Sequence, residues 1–175
     1  MVLSGLPCSG KSTLARQLAP ALALPLIDKD AILEALFESR GVGDAAWRRG
    51  LSRESDVLFE AEAKASRGAV LVSFWHLPGM PVDSGTPTAW LAELPAQLVE
   101  VHCACAPEVA AERFVRRRRH PGHLDLTSSY AEVLASLRAI PRRGALEIGQ
   151  RVNIDTSRER DVDSVIRDIH AAFLR

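Results

Sequence analysis

Gly5-Leu6-Pro7-Cys8-Ser9-Gly10-Lys11-Ser12-Thr13 begins four residues into the chain, and its spacing decides the fold. It fits G-x-x-x-x-G-K-[S/T], with Gly5, Gly10, Lys11 and Ser12 at the fixed positions. Glycines let successive backbone N–H groups converge on phosphate oxygens, and a helix starting at the lysine turns its positive end toward the same charge. A lysine here reaches the β- and γ-phosphates, and the neighbouring serine holds Mg²⁺. The context agrees: Met1 to Leu3 reads as a short buried strand, and from Lys11 the pattern turns helical, with Leu14 and Leu18 on one face. A plain turn between strand and helix would not need all four positions filled. Pro7, Cys8, Ser9 and Thr13 complete the loop as candidate nucleotide contacts. Cys8 is either a small space-filling residue or a thiol made acidic by the helix N-terminus.

Outward from this loop, strands and helices alternate. Pro20 ends or kinks the first helix, and Leu24 to Ile27 is a second strand ending at Asp28. Helices are expected over Ala31–Ser39 and, after a Gly41/Gly43 loop, over Ser52–Ser66, capped by Ser52 with Glu54 and Asp56 near its positive end. The apolar run Ala69–Trp75 reads as a strand buried on both faces, followed by a turn-rich loop from His76 to Thr88. A short helix near Ala89–Leu94 leads to a strand over Gln97–Cys103. A helix from Pro107 then runs through the arginines to His120, with a loop from His120 to Asp125. A helix over Ser128–Ala139, a strand over Arg151–Ile154 and a helix over Val162–Leu174 complete the order. This alternation predicts a three-layer α/β domain with a mostly parallel sheet, one domain spanning 1–175.

The bulk properties narrow the function classes. The 22 basic and 22 acidic side chains cancel, so no basic surplus invites a polyanion. Arginine outnumbers lysine nineteen to three, yet two of the three lysines, Lys11 and Lys29, fall inside the motifs. No apolar run is long enough to span a membrane, and nothing suggests export. Three cysteines, Cys8, Cys103 and Cys105, form an odd and sparse set that suits a reducing cytoplasm.

"LIDKDAI" places Asp28 and Asp30 just past the second strand, at the sheet edge where ligands gather in open parallel sheets. One carboxylate can order water around Mg²⁺ while the other accepts a hydroxyl proton as that oxygen attacks the γ-phosphate. Alternatively, Asp30 caps the next helix and Asp28 is a solvated strand end. With these residues the sequence resembles the P-loop small-molecule kinases, the group that includes gluconate, shikimate, chloramphenicol and polynucleotide kinases. Asp28-x-Asp30 is similar to the D-x-D of the gluconate and shikimate enzymes, and Lys29-Asp30 to the Arg-Asp pair of polynucleotide kinase. The resemblance implies a five-stranded parallel sheet, ATP and Mg²⁺, and a small arginine-bearing lid, here about residues 113–127.

"ERFVRRRRH" supplies the lid arginines. Arg113 and Arg117 stand four apart on one expected helix face, with Arg116, Arg118 and Arg119 around them, and without acids nearby they would repel one another unless an anion visits. On closure such arginines would stabilise charge spread over the transferring phosphoryl group. His120-Pro121-Gly122-His123 looks like a hinge or lid tip. The third strand departs from the usual pattern by offering Ser73 where an acid is expected, so metal ligation falls on Ser12 and, through water, Asp28. The glycine-rich substrate motif of shikimate kinase is missing. "NIDTS" resembles the adenine-side loop, so Asp155 and Thr156 either line that pocket or simply turn into the last helix. Zinc on Cys103, Cys105, His120 and His123 is disfavoured by the arginine-rich helix between them.

The sequence therefore points to an ATP-dependent kinase acting on a hydroxyl of a small molecule, a sugar, antibiotic or related metabolite. Asp30 would be the base, Lys11, Arg113 and Arg117 the charge stabilisers. Arg40, Arg48, Trp75, His76 and Asp83 are candidates for the acceptor pocket. The alternatives are a polynucleotide 5′-hydroxyl kinase and a non-kinase ATP-binding switch or ATPase. Stable nucleic-acid binding and membrane association are not expected, and the chain reads as a monomer or homodimer.

Overall fold

The computed structural model describes residues 1–95, 97–125, 128–143 and 145–173. Five strands, β1 (Val2–Gly5), β2 (Leu26–Asp28), β3 (Val70–Val72), β4 (Val99–Ala104) and β5 (Gln150–Asp155), form one sheet in the order β2-β3-β1-β4-β5. Every pair is parallel. Six α-helices complete the order: α1 (Lys11–Ala21), α2 (Lys29–Arg40), α3 (Ala45–Ala65), α4 (Pro107–Arg116), α5 (Tyr130–Ala139) and α6 (Val162–Phe173). This is the three-layer α/β architecture that the alternating pattern predicts.

Strand alternation sorts the core onto two faces. Leu3, Val70, Val72, Val101, Cys103, Val152 and Ile154 pack on Leu14, Ala15, Leu18, Val165 and Ile169 of α1 and α6. Val2, Ile27 and Leu71 face the other way, onto Phe59 and Ala63 of α3 and onto Trp75 and Trp90. Beyond the C-terminal end of β1, Leu6 seats α4 and α5 through Ala110, Ala111, Val133 and Leu137. The helices thus fix the strand ends, and the strand ends carry the loops.

Three elements differ from expectation for identifiable reasons. The helix expected at Ser52 starts two turns earlier, because Asp44 accepts from the N–H groups of Ala46 and Trp47, both at 2.9 Å. Gly50 is tolerated inside that helix, and Ser52 sits in its interior, accepting from Lys29 Nζ at 3.2 Å. Strand β3 is three residues long, not seven. After Val72 the chain leaves the sheet to pair with Thr86, whose N–H donates to Phe74 O (2.8 Å) and whose carbonyl accepts from His76 N–H (2.9 Å). Helix α4 stops at Arg116 rather than His120; Arg117 is already extended (φ −73°, ψ 148°). Beyond it, Arg117 and Arg119 pair with carboxylates outside the helix. Helix α5 begins at Tyr130 behind a capping box of Ser129 and Glu132. Leu126, Thr127 and Leu174, expected in the lid and the last helix, lie outside the described residues.

Candidate active site

The phosphate loop joins β1 to α1 through three left-handed residues: Gly5 (φ 131°), Cys8 (φ 60°) and Gly10 (φ 95°). A Cβ on Gly5 would lie 2.6 Å from the carbonyl oxygen of Cys103, so no side chain fits between β1 and β4 there. Ser9 turns inward and is fully buried, its N–H donating to Leu6 O at 3.0 Å. Lys11 is buried, and its ammonium donates to the carbonyls of Gly5 (3.0 Å) and Leu6 (2.8 Å). Burial holds its pKa below the usual lysine value, with Cys103 and Asp30 among the groups that partly oppose the shift. A phosphate at the loop would give this desolvated cation a full counter-charge in place of two carbonyl dipoles.

A cleft of about 780 Å³ opens in front of the loop. Pro7, Cys8, Gly10, Lys11, Ser12 and Thr13 line its floor, and Asp28, Asp30, Arg113, Arg117 and Thr156 lie on its walls. Gly5 and Ser9 shape the loop from behind. At the end of β2, Asp28 caps α2 by accepting from Asp30 N–H at 3.0 Å, and it lines the same cleft as Ser12. The expected metal pair thus faces one cleft. Burial raises the Asp28 pKa, with the Ser12 side chain the largest opposing effect. Because Asp28 supplies the cap, the Asp30 carboxylate is left over for other work.

Arg113 lies over the loop, its Nη1 within 3.8 Å of where a Gly10 Cβ would be, while Nη2 donates to Ser157 O at 3.1 Å. Arg117 stacks on Phe114 (4.4 Å to the ring centre) and pairs with Asp125 at 2.9 Å. The two arginines reach the same cleft, but Arg117 does so from beyond the helix rather than from a shared face. Arg119, which sequence reasoning left among the surrounding arginines, bridges Asp125 (2.9 Å) and Asp30. Two members of the cluster that seemed to lack acids, Arg117 and Arg119, thus have them. Asp125 stands six residues past Arg119 and was readable as a partner; Asp30, 89 residues away, was not.

The remaining expected residues divide. Arg48 and Asp83 line the cleft, along with Lys29, Ser52 and Phe74, although Asp83 is paired with Arg53 at 2.9 Å. Arg40, Trp75 and His76 are not brought there. Arg40 pairs with Glu54. Trp75 is buried against Phe59 and Trp90 and donates to Leu3 O at 2.7 Å. His76 Nδ1 bonds Ser84 O at 2.7 Å and shapes the loop. Thr156 donates through its hydroxyl to Ala104 O (3.1 Å), whereas Asp155 accepts from Ser157 N–H (2.9 Å), which holds its carboxyl below the usual range. Ser73 bonds Thr86 at 2.5 Å, occupying the position where an acid was missed. Burial pushes the Cys8 thiol up, more than Arg117 and Lys11 pull it down, so the loop does not produce an acidic thiol. Cys103 is buried in the sheet core, and among the described residues no group of three or more His, Cys, Asp or Glu is placed to hold a metal. No described helix is long and apolar enough to cross a membrane.

A family model described as an AAA domain matches residues 1–140. No curated protein matches the sequence. Among solved structures, a protein of Chloroflexus aurantiacus provisionally named a kinase superposes with a TM-score of 0.76 at 22% identity, covering 98% of this chain and 97% of that one. Shikimate kinase from Bacteroides thetaiotaomicron matches with a TM-score of 0.63 at 18% identity over 99% and 97% of the two chains. A gluconokinase from Sinorhizobium meliloti gives 0.52 at 22% over 99% and 90%. At these identities the likeness speaks for the fold.

Proposed function

The chain belongs to the AAA-domain family and has the P-loop kinase fold, and from that premise we propose that it transfers the γ-phosphoryl group of ATP to a hydroxyl of a small molecule. The observation that carries this reading is the division of labour at β2: Asp28 serves the helix cap, so the second carboxylate on the same wall is free of that duty and meets the arginine segment through Arg119 instead. A switch or motor needs the phosphate loop but not this second acid beside an acceptor-sized recess. A cleft of about 780 Å³ is large enough for a nucleotide and a small acceptor together.

Loop N–H groups and Lys11 would bind the β- and γ-phosphates, leaving their present carbonyl partners. The oxygens of Ser12 and Asp28 would hold Mg²⁺, a hard cation that would offset phosphate charge. Asp30 would take the hydroxyl proton as the acceptor oxygen bonds to phosphorus, and ADP leaves with the bond's electron pair. Arg113 and Arg117, on a lid over roughly 113–127, would close over the charge that spreads across the phosphoryl oxygens. Thr156 would border the adenine. Three free cysteines and ATP dependence fit a cytoplasmic setting.

The test is ADP release from ATP and Mg²⁺ against a panel of sugars, hydroxy acids, aminoglycosides and nucleosides. One class should accelerate release, and Asp30→Asn should lower that rate about 10²–10⁴-fold while ATP affinity holds. Asp30→Asn at full turnover would sink the assignment. Single-stranded oligonucleotides should not bind at moderate salt, because the chain has no net charge and two arginines of its cluster, Arg117 and Arg119, are paired with Asp125 and Asp30.

A further inference from the structure

Helix α2 carries an acid on every turn of one face: Asp30, Glu34 and Glu38, at i, i+4 and i+8. The segment after α4 meets all three. Arg119 pairs with Asp30, His123 Nε2 lies 2.8 Å from Glu34, and His120 Nε2 lies 3.0 Å from Glu38. Phe37 sits between, with the His120 ring stacked on it at 5.2 Å and the His123 ring edge-on at 5.5 Å. Gly122 touches the same ring so closely that a Cβ would come within 2.5 Å of it. The contact does not need charged imidazoles. His120 Nδ1 accepts from Gly122 N–H at 3.1 Å, which leaves the proton on Nε2 to donate to Glu38. Burial, with Arg119 next, lowers the His123 pKa and so favours the neutral ring.

This docking places one guanidinium on the candidate base. Arg119 is 17% exposed and bridges the Asp30 and Asp125 carboxylates. We propose that Arg119 guards Asp30: until an acceptor arrives it occupies the carboxylate that would otherwise activate water, and the His120–His123 turn on Phe37 is the anchor that sets it there. The suppressed reaction is hydrolysis. Water would lose a proton to Asp30 as its oxygen bonds to the γ-phosphorus, the bond to ADP would break with its electron pair on ADP, and phosphate would leave. An acceptor hydroxyl that displaces Arg119 restores the base. Arg119 is thus a positioning residue that acts through Asp30. The inference rests on the kinase reading above.

Its test needs no acceptor. The full chain is given ATP and Mg²⁺ alone, and ADP is measured. Arg119→Gln should raise this release about fivefold, the population factor of one partly exposed ion pair. Arg119→Lys should restore much of the suppression. Adding Asp30→Asn to Arg119→Gln should abolish the gain, a dependence that general loosening would not show. Gly122→Ala keeps every charge but displaces the turn, and it should give a rise of about twofold in the same direction. Release that is unchanged or lower in Arg119→Gln, or a gain that survives Asp30→Asn, would overturn the inference. If Arg119→Gln does not fold, Gly122→Ala with and without Asp30→Asn decides between the same outcomes. The kinase reading fails separately, if Lys11→Ala leaves ADP release intact.

Discussion

The phosphate loop and the arginine segment face each other across one cleft, and they are held by different forces. In the loop the scaffold is main chain: three left-handed residues, a glycine wedged against the Cys103 carbonyl, and a lysine resting on two backbone oxygens. In the segment from Arg117 to Asp125 the backbone has left its helix, and its position comes from side chains of Asp30, Glu34, Phe37, Glu38 and Asp125. A backbone-built site leaves little slack, and at Gly5 it admits no added atom. A side-chain-built one can exchange its carboxylates for phosphate oxygens, which a closing element requires.

The largest expected effect tests the loop's chemistry against its fold. Lys11→Ala should lower turnover about 10²–10³-fold, the range for losing a preorganised charge stabiliser. The ligand-free protein should melt within a few degrees of the parent, because the buried ammonium is poorly compensated without phosphate. A collapse of thermal stability would instead make Lys11 a structural residue.

Two glycines compare the scaffolds directly. Gly5→Ala presses a methyl into a backbone carbonyl at φ 131° and should destabilise by about 3 kcal/mol in urea unfolding. Gly122→Ala meets the Phe37 ring, a side chain rather than main chain, so the turn gives way and the change should cost about 1 kcal/mol. Equal costs would erase the distinction between a main-chain and a side-chain scaffold.

The smallest effect concerns the sheet behind the loop. Ser4 donates its hydroxyl proton to Glu100, which is 1% exposed, and accepts from His102 Nδ1 at 2.8 Å. Burial, helped by Arg151 and Lys11, lowers the His102 pKa from 6.5 to about 4. The unfolded chain therefore takes up the proton first. The contribution is complete above pH 6.5 and is lost as pH falls toward 4. Discounted for partial exposure, the loss is on the order of 1–2 kcal/mol. His102→Gln should flatten the melting temperature across that window, and an unchanged slope would place the pH sensitivity elsewhere.

Short-range signals were legible wherever the chain's own local chemistry set the outcome. The phosphate loop, the strand–helix alternation and the placement of Asp28 and Asp30 follow from glycine spacing, apolar periodicity and residue order. The Asp44 cap was equally readable, but the helix start was assigned to Ser52 instead. The local chemistry could not show that β3 gives up residues to Thr86, that Trp75 belongs to the core, or which acid caps α2. Nor could it find the partners of the arginine run. Four adjacent arginines look uncompensated in one dimension because Asp30, which meets one of them, lies 89 residues away. Sequence by itself determined the phosphate site and the layer architecture, since backbone conformation and hydrophobic period are local properties. Only the tertiary structure decided where the arginines rest, because an ion pair depends on distance in space, and the fold alone brings α2 beneath the turn that follows α4.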